Sequence, residues 1–169
     1  MSNSSAFAEK TEKRILVAYF SFSGNTRVIA KQIQEITGGT LFEIKTVKPY
    51  PREYNKVVEQ AKIEKQSNYR PVLKDKLKNP GDYDVIFLGY PNWWGTIPMP
   101  VATFLTENNM KGKTIIPFCT HEGSGLGSSV NDIMKLCPGA TVKEGLAIRG
   151  REVNNARNEV SGWVKKVRN

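Results

Sequence analysis

Histidine occurs once in this chain, at His121, and cysteine twice, at Cys119 and Cys137. That is too few ligands for a Cys/His zinc site. Two cysteines do not build a disulfide framework either; they read as plain thiols of a cytoplasmic protein. No apolar run approaches the roughly 18 residues that a membrane span needs, so no membrane partner is expected. The opening stretch MSNSSAFAEKTEK is polar and lacks the apolar centre of a signal peptide. It reads as a flexible lead-in over residues 1–13, followed by one domain over 14–169. An acidic excess is missing as well: 25 Lys and Arg stand against 16 Asp and Glu, a formal net charge of +9. The cations are dispersed, ten against five acids over residues 43–78 and six against two over 149–169. No basic cluster is interleaved with aromatics, so nucleic acid is not the expected partner.

What is present is an alternation. The segments RILVAYF (14–20), TLFEIKTV (40–47), DVIFLGY (84–90), KTIIPFC (113–119) and TVKEGLAI (141–148) read as strands. Several are nearly continuous apolar runs, as strands covered on both faces require. Between them lie amphipathic stretches. Ile29, Ile33 and Ile36 recur at helical spacing in 25–37, as do Val153, Ala156, Val160, Trp163, Val164 and Val167 in 153–167. Weaker versions occupy 54–66, 100–107 and 127–136. Such stripes are core faces. Five strands alternating with helices predict an α/β fold, a three-layer open parallel sheet in the order 2-1-3-4-5. Ligands of such sheets sit beyond the carboxyl ends of the strands, which directs attention to the loops after strands one, three and four.

The first of these loops is SFSGNT. A helix start offers unpaired amides and a partial positive charge, Ser21, Ser23 and Thr26 add hydroxyls, and Gly24 allows close backbone approach. Together they suit a phosphate. Ser, Asn and Thr are also ordinary capping residues, but five small or polar residues in six positions exceed what a cap requires. The second loop, YPNWWGTIPMP (90–100), puts two adjacent tryptophans where loops face water. A flat aromatic ligand stacked on an indole would cover one, and the other is expected to fold under the loop as core; the residues leave open which does which. The third loop, THEGSGLGSS (120–129), presents Thr120, Gly123, Ser124 and Gly125 as a flexible backbone rich in N–H groups. His121 is either a donor to a ligand or a plain loop histidine.

Rival signatures fail. The first loop has no lysine for GxxxxGK[ST], no acidic residues for a magnesium-binding receiver, and no cysteine for a thiol phosphatase. In the third loop GxGxxG breaks at Ser128, and no serine sits in GxSxG. The ligand that the three loops share is a phosphate-bearing planar heterocycle.

These residues carry a resemblance. Ser21, Ser23, Gly24, Asn25 and Thr26 match the phosphate-loop pattern [ST]-x-[ST]-G-N-T of the flavodoxin family. GYPNWWGTIPMPVATFL and PFCTHEGSGLG resemble the two ring-flanking loops of its short-chain bacterial flavodoxin-like branch. The resemblance covers nearly all of the chain after residue 13. It implies FMN held without a covalent link, its phosphate at residues 21–26. It implies that Pro91, Asn92, Trp93, Trp94, Gly95 and Thr96, with Thr120, His121, Glu122, Gly123, Ser124 and Gly125, flank the ring. A carbonyl or amide near Gly95 would face the flavin N5, and Trp93 or Trp94 would stack on the ring. The flavin then carries the chemistry, so no catalytic acid or nucleophile is expected.

Two functions are compatible with that reading: a single-electron carrier, and an NAD(P)H-dependent FMN oxidoreductase acting on a quinone or other small acceptor. The length leaves little extra chain for a nicotinamide site, which leans toward the carrier. Against that, the insert at 49–80 is either a plain helix with linkers or a lid that narrows substrate access. Many flavodoxins are strongly acidic and this chain is not. The difference predicts a redox partner protein with an acidic face or a small anionic substrate, and a less negative second reduction potential. Monomer and dimer both remain open.

Overall fold

The computed structural model describes residues 13–169, so all of the expected lead-in except Lys13 lies outside the described residues. In chain order the elements are β1 (Ile15–Tyr19), α1 (Asn25–Thr37), β2 (Thr40–Glu43), α2 (Tyr54–Ser67), β3 (Val85–Pro91) and α3 (Met99–Glu107). They continue with β4 (Thr114–His121), α4 (Ser129–Leu136), β5 (Thr141–Val142), β6 (Leu146–Arg149) and α5 (Arg157–Arg168). The sheet is parallel in the expected order, β2-β1-β3-β4 and then β5 with β6 at the fifth position.

The continuous apolar runs are explained by cover on both faces. Leu16 and Ala18 of β1, Ile86, Leu88 and Tyr90 of β3, and Ile115 and Cys119 of β4 point to one side, where they meet Val101, Phe104 and Leu105 of α3 and Ile133 of α4. The alternate residues Val17, Tyr19, Val85, Phe87, Ile116 and Phe118 face the other side. They pack on Ile29 and Ile33 of α1 and on Val160, Trp163, Val164 and Val167 of α5. Each fully buried aliphatic or aromatic side chain contributes about 1.5–3 kcal/mol of transfer free energy. The register sets Val17 opposite Phe87 and Phe87 opposite Ile116, so the three central strands present one layer of side chains. Val57 and Ala61 of α2 are buried but belong to neither core cluster.

The fifth strand departs from the expected continuous run 141–148. Thr114 and Ile115 pair with Thr141 and Val142, whereas Phe118 and His121 pair with Leu146 and Arg149. The outer strand therefore holds one residue more than β4 between the two pairings, a bulge. Pro117 explains its position. Lys113 and Ile115 carbonyls accept the Thr141 and Lys143 N–H groups, so alternate residues of β4 turn their polar groups outward, and the next in that series is Pro117, which has no N–H to give. Two further boundaries shift. β2 stops at Glu43, although the Ile44 N–H still reaches Tyr19 O and Thr46 bridges Leu73 in the antiparallel sense. The helix expected over 153–167 begins as a 3-10 turn over Gly150–Asn155.

Gly89 sits where β3 meets the Phe118 ring: a Cβ built there would lie 2.2 Å from Phe118 Cζ. Gly89→Ala is expected to lower folding stability by about 1–3 kcal/mol through overpacking, measured by urea denaturation. An unchanged midpoint would show that the Phe118 ring moves aside freely.

Candidate functional site

At the carboxyl ends of β1, β3 and β4 the chain leaves a cleft of about 570 Å³. All three loops singled out above reach it. Ser23 and Asn25 come from the first, Pro91, Asn92, Trp93, Trp94 and Gly95 from the second, and Thr120, His121, Glu122 and Ser124 from the third. A fourth wall comes from Phe22 and, from α2, Tyr54, Val57, Val58 and Ala61. These α2 residues belong to the insert at 49–80, read above as a plain helix or a lid, though none is singled out there as a site residue. The wall accounts for the α2 residues that neither core uses.

The first loop is built as a helix start. Gly24 has φ 101°, in the left-handed region that costs glycine nothing. Ser21 Oγ accepts the Arg27 N–H at 3.2 Å, while the Asn25 N–H has only a long 3.5 Å contact to Ser23 Oγ. Thr26 is buried, and its hydroxyl is 2.8 Å from that of Thr120, which locks the first loop to the third. Gly150 packs behind both: a Cβ there would meet Asn25 Nδ2 and Glu122 Oε1 at 2.5 Å each.

The second loop turns on four residues. Trp93 and Thr96 exchange both backbone bonds, 3.0 and 3.2 Å, and the two residues between them have positive φ, 54° at Trp94 and 77° at Gly95. That is a type I′ turn. Asn92 organises the region. Its N–H donates to Thr120 O at 2.8 Å, its Oδ1 accepts the Gly95 N–H at 2.9 Å, and its Nδ2 donates to Gly125 O at 2.7 Å. Gly95 O accepts the Ser128 N–H at 2.8 Å. Both polar atoms of Gly95 are thus bonded within the protein. The approach needs a glycine at 127, where a Cβ would stand 2.2 Å from Gly95 O. The Thr96 hydroxyl, buried, donates to Asp132, which also accepts the Ser128 hydroxyl. The two tryptophans, both lining the cleft, differ in setting. Trp93 folds under the loop, edge-on to Phe20, Phe22 and Tyr50 at 5.1–5.8 Å. Trp94 is 45% exposed.

In the third loop the Gly123 N–H donates to His121 Nδ1 at 2.9 Å. The remaining ring nitrogen, Nε2, then carries the proton. Burial, and the Arg149 guanidinium beside it, hold the His121 pKa below its ordinary value, so at neutral pH the ring is an uncharged N–H donor at the cleft. Arg149 is paired in register with His121 at the end of β6; no local pattern marks it, because only the sheet brings it there. Ser21, Gly24, Thr26, Thr96, Gly123 and Gly125 stand behind the lining residues and shape the loops.

The lining supplies donors and aromatic walls. Cys119, the nearest thiol in the chain, is buried and pushed up to about 12, far from a reactive thiolate. A larger groove of about 760 Å³ opens at the opposite end of the strands, lined in part by Lys13, Arg14, Lys143 and Arg168. There Lys143 Nζ donates to Val167 O at 2.6 Å, so a cation of this groove serves the carbonyl end of α5. Among the described residues no helix is long and apolar enough to cross a membrane.

Comparison with known proteins points the same way. The profile of a family described as flavodoxin matches residues 14–167. A candidate flavoprotein from Bacteroides uniformis is 32% identical, with a TM-score of 0.81 over 90% of this chain and 98% of its own. A second, from Bacteroides eggerthii, is 34% identical, with a TM-score of 0.74 over 88% and 98%. A flavoprotein from Lactobacillus acidophilus, solved in complex with FMN, is 28% identical, with a TM-score of 0.70 over 85% and 97%. No curated protein matches the chain.

Two outcomes follow from the loop geometry. Asn92→Ala removes the amide that ties the second loop to the third and is expected to cost about 1–3 kcal/mol, read by urea denaturation; a cost near zero would mean that the backbone bonds alone hold the loops. For His121, the folded state favours the neutral ring, so its contribution is present above the ordinary value of 6.5 and is lost as pH falls through the lower folded value. Protonation would also put a donor where the Gly123 N–H needs an acceptor. His121→Gln is therefore expected to flatten the acid side of the stability profile below about pH 6.5, and an unaltered profile would assign that limb to other groups.

Proposed function

The chain belongs to the flavodoxin family, and from that we propose that it is a non-covalent FMN protein acting as a single-electron carrier in the cytoplasm. The observation that carries the reading is the convergence of three loops from separate strand ends on one cleft. The residues suit the group. Amides of the α1 start, with the Ser23 hydroxyl, supply donors for a phosphate without a metal. Trp93 and Trp94 supply an apolar, aromatic wall. The neutral His121 N–H and the backbone of 120–125 supply donors for a polar ring edge. When bound, FMN provides reversible one- and two-electron chemistry. The protein binds it, orients it, and leaves an open side for exchange: Phe22, Tyr54 and Trp94 are 40%, 77% and 45% exposed around the cleft.

The charge supports a partner of opposite sign. Lys62 lies over the Trp94 ring and Lys65 on its carbonyl, and the net charge is +9. A partner protein with an acidic rim around an apolar centre fits such a mouth. A second reading, an NAD(P)H-dependent oxidoreductase acting on a quinone or similar small acceptor, is favoured by one observation. The α2 wall of Tyr54, Val57, Val58 and Ala61 adds an apolar surface beyond the three loops.

Stepwise anaerobic reduction of the FMN-loaded protein separates them. The carrier is expected to show two resolved one-electron steps with dithionite and no bleaching by NADPH. Direct two-electron bleaching by NADPH would establish the reductase, and failure to bind FMN would leave SFSGNT as a helix start alone. The cations are also expected to make the second reduction potential less negative, and increasingly negative as salt screens them. A potential indifferent to ionic strength would remove charge from the account.

A further inference from the structure

The three loops do not explain why α2 is bonded to the ring loop. Trp94 has φ 54°, a region in which a bulky side chain is out of place. The type I′ turn sets that angle, and two bonds reach it from α2: Lys65 Nζ donates to Trp94 O at 2.8 Å, and Trp94 Nε1–H donates to Val58 O at 2.9 Å. Lys62 Nζ, 5.6 Å from the indole centre, adds a cation–π contact. The far side of the same peptide plane is tied through the Gly95 N–H to Asn92 Oδ1. The Trp94–Gly95 peptide is therefore pinned at both of its polar atoms, the N–H from its own loop and the oxygen from α2. Trp94, Gly95 and Val58 all line the cleft.

We infer that Lys65 is a positioning residue of the cleft: by holding the Trp94 carbonyl it fixes the Trp94–Gly95 peptide and keeps the indole in place as a wall of the cofactor site. The consequence for FMN rests on the reading above; the clamp itself does not. A charged donor on a carbonyl is among the stronger hydrogen bonds, and it opposes the relaxation of Trp94 to ordinary backbone angles. Lys62 cannot replace it, because its ammonium is over the ring and not at the oxygen.

The test uses the full chain with and without FMN. In the FMN-free protein, Lys65→Met is expected to increase acrylamide quenching of tryptophan fluorescence. The increase should vanish in a Trp94→Phe background, and Lys65→Arg, which keeps a donor, should restore the parent value. In the loaded protein, Lys65→Met is expected to weaken FMN binding by about five-fold, and Lys65→Arg to keep it near the parent value. Unchanged quenching in Lys65→Met overturns the clamp whether or not FMN binds. A loss of FMN affinity that Lys65→Arg does not restore also overturns it, because a donor to the Trp94 carbonyl would then not be what the site needs. If no variant, nor the parent, binds FMN, the cofactor reading fails while the quenching arm still decides the clamp.

Discussion

The side-chain amide of Asn92 is the constraint on which the site depends. A cleft made of three loops is only as defined as the bonds between them, since each loop leaves a different strand. Asn92 spends its carboxamide oxygen on the Gly95 N–H and its nitrogen on Gly125 O, while its backbone continues the ladder to Thr120. The 2.8 Å contact between the Thr26 and Thr120 hydroxyls ties in the first loop. Two small polar links therefore convert three surface turns into one preorganised surface, with the ordering entropy met during folding.

The fold was legible because buried parallel strands leave an unambiguous trace: RILVAYF, DVIFLGY and KTIIPFC have no polar face to disguise them. The lining of the site was legible where chemistry and position coincided, as in Ser23, Asn25, the tryptophans and His121. The different settings of Trp93 and Trp94 were not, since both occupy the same dipeptide. Only the aromatic pocket of Phe20, Phe22 and Tyr50 selects Trp93 for the inside. Nor were Val57, Val58 and Ala61 recognisable as site residues, because an apolar stripe on a helix looks the same facing a core or a cleft. Arg149 reaches the third loop through strand pairing, a long-range fact that local pattern does not carry.

Electrostatically, Glu122 is the one acidic side chain among the residues lining the cleft, whose other polar groups are uncharged, and lysines stand beside it. His121 is held neutral by burial and by Arg149, while Lys62 and Lys65 stand on the outer side of Trp94. The cations outside act over longer range and so bear on encounter more than on binding.

The bulge opposite Pro117 reaches beyond the ladder in which it sits. An open sheet has two edges, and each is a template on which another chain can add a strand. Here one edge, β2, is four residues long. The other is broken between β5 and β6, so neither presents a long, flat row of free amides and carbonyls. A proline in an interior strand, which elsewhere would be a defect, protects this chain against edge-to-edge aggregation.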